Sequence, residues 1–254
     1  VRTLTGLLRK DWMLSQTWFL RNLLVIFAIW LVSIGIGQYF NELEVPFYAL
    51  GFIVSLHIFY PLWHILTSLS YEAKTQVWLH NPNSMVLFIG SKLIMAVVSA
   101  LLSILLSMLL YGISILLFKN LLEMDFSDFI NVTTGVWLAS IYIAVWAIFY
   151  WSIYYTLIMK MKNKIIVSII VAILAYATMI PHTLFSNSAM YTRLLEIGPI
   201  PINLYQSIFT NNEDEILYEF ALNNASIGLL VFYGGIALLL FLVSARLVNK
   251  KVEL

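Results

Sequence analysis

The chain has 254 residues, of which 61% are hydrophobic and only 11% charged, with a formal net charge of +1. A soluble domain ordinarily carries about 25% charged residues, so this composition excludes a water-facing surface over most of the chain and offers nothing to a nucleic-acid partner. The absence of cysteine excludes disulfides, thiolate metal sites and cysteine nucleophiles.

The first twenty residues carry Arg2, Arg9, Lys10 and Asp11, which break any long apolar stretch of the kind a cleaved leader needs. At 100° per residue, Leu4, Leu7, Leu8, Trp12, Ser15, Trp18 and Phe19 fall in one arc, with Arg2, Arg9 and Lys10 outside it. This pattern predicts an amphipathic helix over residues 1–22, lying along the inner leaflet. Asp11 falls inside the apolar arc, and nothing local accounts for it.

Six apolar runs follow, over about 23–40, 45–70, 93–118, 132–159, 165–185 and 227–245. Each is close to the roughly 20 residues that cross a bilayer as a helix. No ten-residue alternating pattern of the barrel type is present, so the expected fold is all-α, a polytopic membrane protein with six transmembrane helices in one domain.

Charge distribution orients these spans. Segments 1–22, 71–92, 160–164 and 246–254 hold 12 of the 14 basic residues, leaving only Lys119 and Arg193 opposite, where 10 of the 13 acidic residues lie. The positive-inside rule then places the basic side, and both termini, in the cytoplasm. Of the outer loops, 186–226 is the longest and is not purely polar. Its apolar residues flank Gly198-Pro199-Ile200-Pro201, which predicts two short helices dipping back towards the bilayer.

The inner connection 71–92 is patterned. Glu72 to Gln76 are good helix formers, Asn81-Pro82 reads as a stop, and Ser84 can cap a second helix leading through Lys92 into the third span. Such a segment is either a lever or a solvated turn anchored by Trp78.

Within the spans there is no Asp, Glu, Lys or Arg, which argues against ion-coupled transport. The ionisable candidates are His57 and His64, seven residues apart in the second span with Pro61 between them, and His182 near the end of the fifth. Two histidines without a carboxylate make a poor metal site, so hydrogen-bonded structural roles are expected. In the fourth span Tyr142, Trp146, Phe149 and Tyr150 share a face, while Trp151 and Tyr155 point elsewhere. There is no GxxxxGK[ST], HExxH or GxSxG sequence, so no catalytic or nucleotide site is expected.

In combination the six spans, the N-terminal amphipathic helix, the patterned inner connection and the outer loop resemble the permease subunits of ABC-2 type exporters. The local likeness rests on Glu72-Ala73-Lys74-Thr75-Gln76-Val77-Trp78, then Pro82, Ser84 and Ser91-Lys92-Leu93. Among these it is most similar to the Gram-positive peptide exporters, such as the phenol-soluble modulin exporters.

The resemblance implies a cytoplasmic coupling helix between spans 2 and 3, with Glu72, Lys74, Gln76, Trp78 and His80 meeting a separate ABC ATPase subunit. That partner would bind ATP and Mg, and this chain would bind no cofactor. A second permease copy, identical or a paralogue, would complete the exporter in the cell membrane among its lipids. A candidate translocation path runs by His57, Tyr60, His64 and Tyr150. The competing readings are an intramembrane enzyme using polar span residues and a non-transporting scaffold or sensor.

Overall fold

The computed structural model describes residues 2–75, 84–118, 126–200 and 225–252. Helices run over α1 (Arg2–Phe40), α2 (Val45–Leu56), α3 (Tyr60–Thr75), α4 (Met85–Leu117), α5 (Phe126–Met161), α6 (Lys164–Ser186), α7 (Ala189–Leu195) and α8 (Ile227–Val252). A 3-10 turn, His57–Phe59, joins α2 to α3, and a two-residue strand pair, β1 (Pro199–Ile200) with β2 (Ala225–Ser226), precedes α8. Among the described residues, six helical stretches are long and apolar enough to cross a membrane, and each contains most or all of one expected span.

Local chemistry explains the turns. Asn41 adopts φ 58°, and the Glu42 N–H donates back to Gly37 O at 2.8 Å. That is the left-handed closure of a helix C-terminus, which asparagine tolerates. Pro46 then opens α2, where a missing N–H costs nothing. Pro61 cannot donate to the carbonyl of His57, four residues back. The Tyr60 N–H takes that carbonyl instead, which tightens the chain into the 3-10 turn.

The chain forms two compact units, one containing residues 1–63 and 91–141 and the other 64–90, 142–202 and 224–254. In the first unit α4 is central. It buries a face of small residues, with Ala96, Ser99, Ala100, Ser103, Ser107 and Ser114 at 0% exposure. Small side chains let neighbouring helix backbones approach closely in a membrane, where apolar burial alone does not drive association.

Three sets of contacts fix directions around α4. Asp11 meets Lys92 and Trp30 Nε1 donates to Ser114 Oγ at 2.8 Å, so α1 runs parallel to α4. Phe47 packs edge-on to Tyr111 and His57 bonds Ser103, so the α2 arm runs antiparallel. Phe129 stacks on Tyr111 and Trp137 Nε1 reaches Val97 O, so α5 is antiparallel as well. This alternation is the one six successive crossings require. Ile26, Trp30, Phe47, Leu50, Ile53, Val54, Leu110, Tyr111 and Phe129 form the apolar core of the unit.

The second unit holds the α5–α6 hairpin, α7 and α8. Lys162 at φ 55° turns the chain, and Asn163 Oδ1 accepts from the Ile165 and Ile166 N–H groups to cap α6. Ser188 caps α7 by accepting from Tyr191 N–H at 3.3 Å. Gly198, at φ 60°, turns the chain into β1. Ser226 Oγ donates to Leu194 O at 2.7 Å and accepts from Leu229 N–H at 3.1 Å, so one hydroxyl ties α7 to α8 and caps α8. Gly228 leaves no room for a side chain, because Leu194 O lies against it.

Two expectations change. The N-terminal amphipathic segment is not a separate helix on the leaflet surface, since α1 continues unbroken from Arg2 to Phe40. Its arc is nevertheless as expected: Leu7, Asp11 and Phe19 are buried and Leu4, Leu8, Trp12, Ser15 and Trp18 half-buried. The face packs on protein, not only on lipid. Residues 72–75 belong to α3, so no separate helix begins at Glu72. The outer loop contributes one short helix, α7, before Gly198; the second expected helix falls outside the described residues.

Candidate functional site

The misfit in the N-terminal arc marks a buried polar centre in the first unit. An aspartate centred on a buried helix face must find a cation or donors, since an unpaired buried carboxylate is prohibitively costly. Asp11, 4% exposed, finds both on the second and third turns of α4. Lys92 Nζ donates to Asp11 Oδ1 at 3.1 Å, and Ser91 Oγ donates to Oδ2 at 2.6 Å. Lys10 Nζ, more exposed, stands 3.7 Å from Oδ1. Lys92 is 1% exposed and Ser91 fully buried. Lys92, counted among the positive-inside charges, is inside the protein.

Chain separations of 81 residues for Asp11–Lys92 and 84 for Trp30–Ser114 set the register of α1 on α4. The expected span starts, Leu23 and Leu93, are 70 residues apart. In the structure the helical stretches long and apolar enough to cross a membrane begin instead at Thr3 and Met85, 82 residues apart, which matches this register.

Further along, the residues expected to line a path come together in part. His57 Nδ1 lies 2.8 Å from Ile53 O, a pure acceptor, so Nδ1 carries the proton there. In the neutral ring Nε2 then accepts from Ser103 Oγ, also at 2.8 Å. The ring stacks on Tyr60 at 5.6 Å, and Tyr60 in turn packs on Trp18 at 5.2 Å. With both nitrogens engaged and the ring buried, His57 is a packing and bonding element. Ser103→Ala is therefore expected to cost about 0.6 kcal/mol and at most about 1.7, the range for single hydrogen bonds between membrane helices. Denaturation of the detergent-solubilised variant checks this; loss of activity without loss of stability would instead mark His57 as chemically active.

His64 is buried. Tyr150 lies in the second unit, half-buried, with its hydroxyl bonded to Thr178 Oγ1. The aromatic face on α5 is as expected: Trp146 lies 6.3 Å from Tyr142, 5.8 Å from Phe149 and 5.4 Å from Tyr150. Trp151 and Tyr155 stack on each other separately. The row continues through Tyr233 on α8, which touches Tyr142 and His182.

Of the expected coupling residues, Glu72 and Lys74 are on the last turns of α3, Glu72 buried at 3% exposure and Lys74 exposed. Gln76, Trp78 and His80 lie outside the described residues. Ser84 caps α4 as expected, accepting from Leu87 N–H at 3.4 Å. Among the described residues no group of three His, Asp or Glu side chains is placed to hold a metal ion.

Comparison with known proteins adds one likeness. The chain is similar to the uncharacterized protein YhcE of Bacillus subtilis (strain 168), 29% identical over 171 residues, covering 60% of this chain and 62% of the relative's length. No family model matches the chain, and no solved structure matches it.

Proposed function

We propose that this chain is the membrane-spanning permease subunit of an ATP-driven exporter of the ABC-2 type, working with a separate cytoplasmic ATPase and a second permease copy. The observation that carries this reading is the short connection between α3 and α4. α3 continues unbroken to Thr75 and α4 starts at Met85, capped by Ser84. A partner that engages residues 76–83 is thus joined in sequence to two helices at once, α3 and α4. The basic side, where this connection lies, is the cytoplasm in this reading.

The substrate is amphipathic or hydrophobic, a peptide toxin by the resemblance, and it passes along apolar and aromatic faces such as the row from Tyr150 through Trp146 and Tyr142. The segment 186–226 then serves as a re-entrant element before α8, with α7 as its first helix. ATP and Mg belong to the partner, and the assembly sits in the plasma membrane of a Gram-positive bacterium with both termini in the cytoplasm.

Lys74 and Trp78 are the residues to test, because the burial of Glu72 makes its alanine variant a probe of folding as well as of partner contact. Wild type purified in detergent is expected to bring down an ATPase and ATP hydrolysis. Trp78→Ala with Lys74→Ala is expected to lose about 10-fold or more of that hydrolysis, with an unchanged thermal midpoint. A wild-type preparation with no associated ATPase would sink the permease reading and favour the scaffold or enzyme alternatives.

A further inference from the structure

We propose that the Asp11–Lys92 ion pair, seated by Ser91, is a clasp that locks the N-terminal stretch of α1 to the start of α4, so that the two move as one body. Three observations converge. The pair is buried at both ends, with both oxygens of the carboxylate taken by groups of α4. It lies two turns inside α4, directly after the connection through which a partner would act. And the small residues that follow on α4, Ala96, Ser99 and Ala100, are buried and offer little to stop a neighbouring helix sliding along its axis.

A buried ion pair contributes little net stability, because desolvation offsets most of the attraction. Its best attested use is to fix register, since any slip pulls two buried opposite charges apart. Asp11 and Lys92 impose that penalty on every sliding of α1 against α4, and Trp30–Ser114 repeats the register further along. Displacement of the first turns of α4 therefore carries residues 2–20 with it. α1 becomes part of the moving body and not a passive anchor. This transmission role rests on the permease reading; the mechanical tie does not.

The absence of cysteine makes the test specific. Asp11→Cys with Lys92→Cys removes the charges, and a short bismaleimide then replaces them with a covalent link. Two readouts are taken on the full chain in lipid nanodiscs: hydrogen exchange of residues 2–20, and ATP hydrolysis by the co-purified complex. The reduced double variant is expected to exchange faster over residues 2–20 and to lose about 10-fold in hydrolysis. The cross-linked form is expected to recover both. Asp11→Lys with Lys92→Asp should also recover both in part, and it guards against misfolding of the cysteine variant.

Unchanged exchange in the reduced form overturns the clasp. A cross-linked form that regains slow exchange while hydrolysis stays low supports the tie and overturns the transmission role. If wild type carries no ATPase, the permease reading fails, and the exchange measurement alone decides whether α1 and α4 are tied.

Discussion

Lys92→Met is expected to destabilise the chain by about 3–5 kcal/mol, and adding Asp11→Asn to it is expected to return most of that loss. The sign follows from what each variant leaves behind. In the wild type the ammonium and carboxylate are 3.1 Å apart, with side-chain exposures of 1% and 3%. Removing the lysine leaves a buried carboxylate with Ser91 and the more distant Lys10, at 3.7 Å and over a third exposed, as partial relief. Removing the aspartate instead takes the carboxylate away from a buried ammonium. Removing both charges leaves a methionine and an amide, and Ser91 can still donate to the amide oxygen. At about 2–4 °C per kcal/mol for a chain of this size, the single variants should lose on the order of 10 °C in detergent and the double variant far less. Two single losses that simply add in the double variant would show that the groups are not coupled and that the contact has no energetic content.

What was legible in the sequence was local. Hydrophobic runs gave six spans because backbone groups in lipid must be satisfied within their own helix. The arc of Leu4, Leu7, Leu8 and Phe19, the cap at Ser84 and the aromatic face from Tyr142 to Tyr150 all depend on neighbours within a few residues, and all three are found in the structure. Pro61 has no N–H to give the helix, and the structure shows the consequence as a 3-10 turn starting at His57.

The polar centre was not legible in the same way. Asp11 stood out on its arc, which is the signal that a partner exists, but the partner lies 81 residues away. Lys92 was hidden by its usefulness as a topological charge: the positive-inside count is blind to whether a lysine meets headgroups or a buried carboxylate. Glu72 shows the same limit, since helix-forming spacing fixes that it is helical and leaves open that its side chain is buried. The register of α1 on α4 is likewise a property of pairing, and no single segment encodes it.

Tyr111→Ala is expected to cost about 2–3 kcal/mol, less than the 3–5 a buried aromatic commands in a water-soluble core. Tyr111 is among the largest fully buried side chains of the chain. Its ring stacks on Phe129 at 3.9 Å and 6°, meets Phe47 edge-on at 5.2 Å and lies 6.3 Å from Phe126, so it joins α4 to both α2 and α5. In water the cost of truncation has two parts, the lost transfer of apolar surface and the cavity left behind. In a bilayer the first part shrinks, because an acyl chain is as apolar as the core, while the loss of packing remains. Tyr111→Phe removes only the hydroxyl, keeps all three ring contacts and should cost far less than the alanine variant. Both are read as shifts of the denaturation midpoint in detergent and again in nanodiscs. If the alanine variant is as stable as the phenylalanine variant in either medium, the stacked aromatics are not what joins α2, α4 and α5, and the close approach along the small-residue face of α4 holds the unit without them.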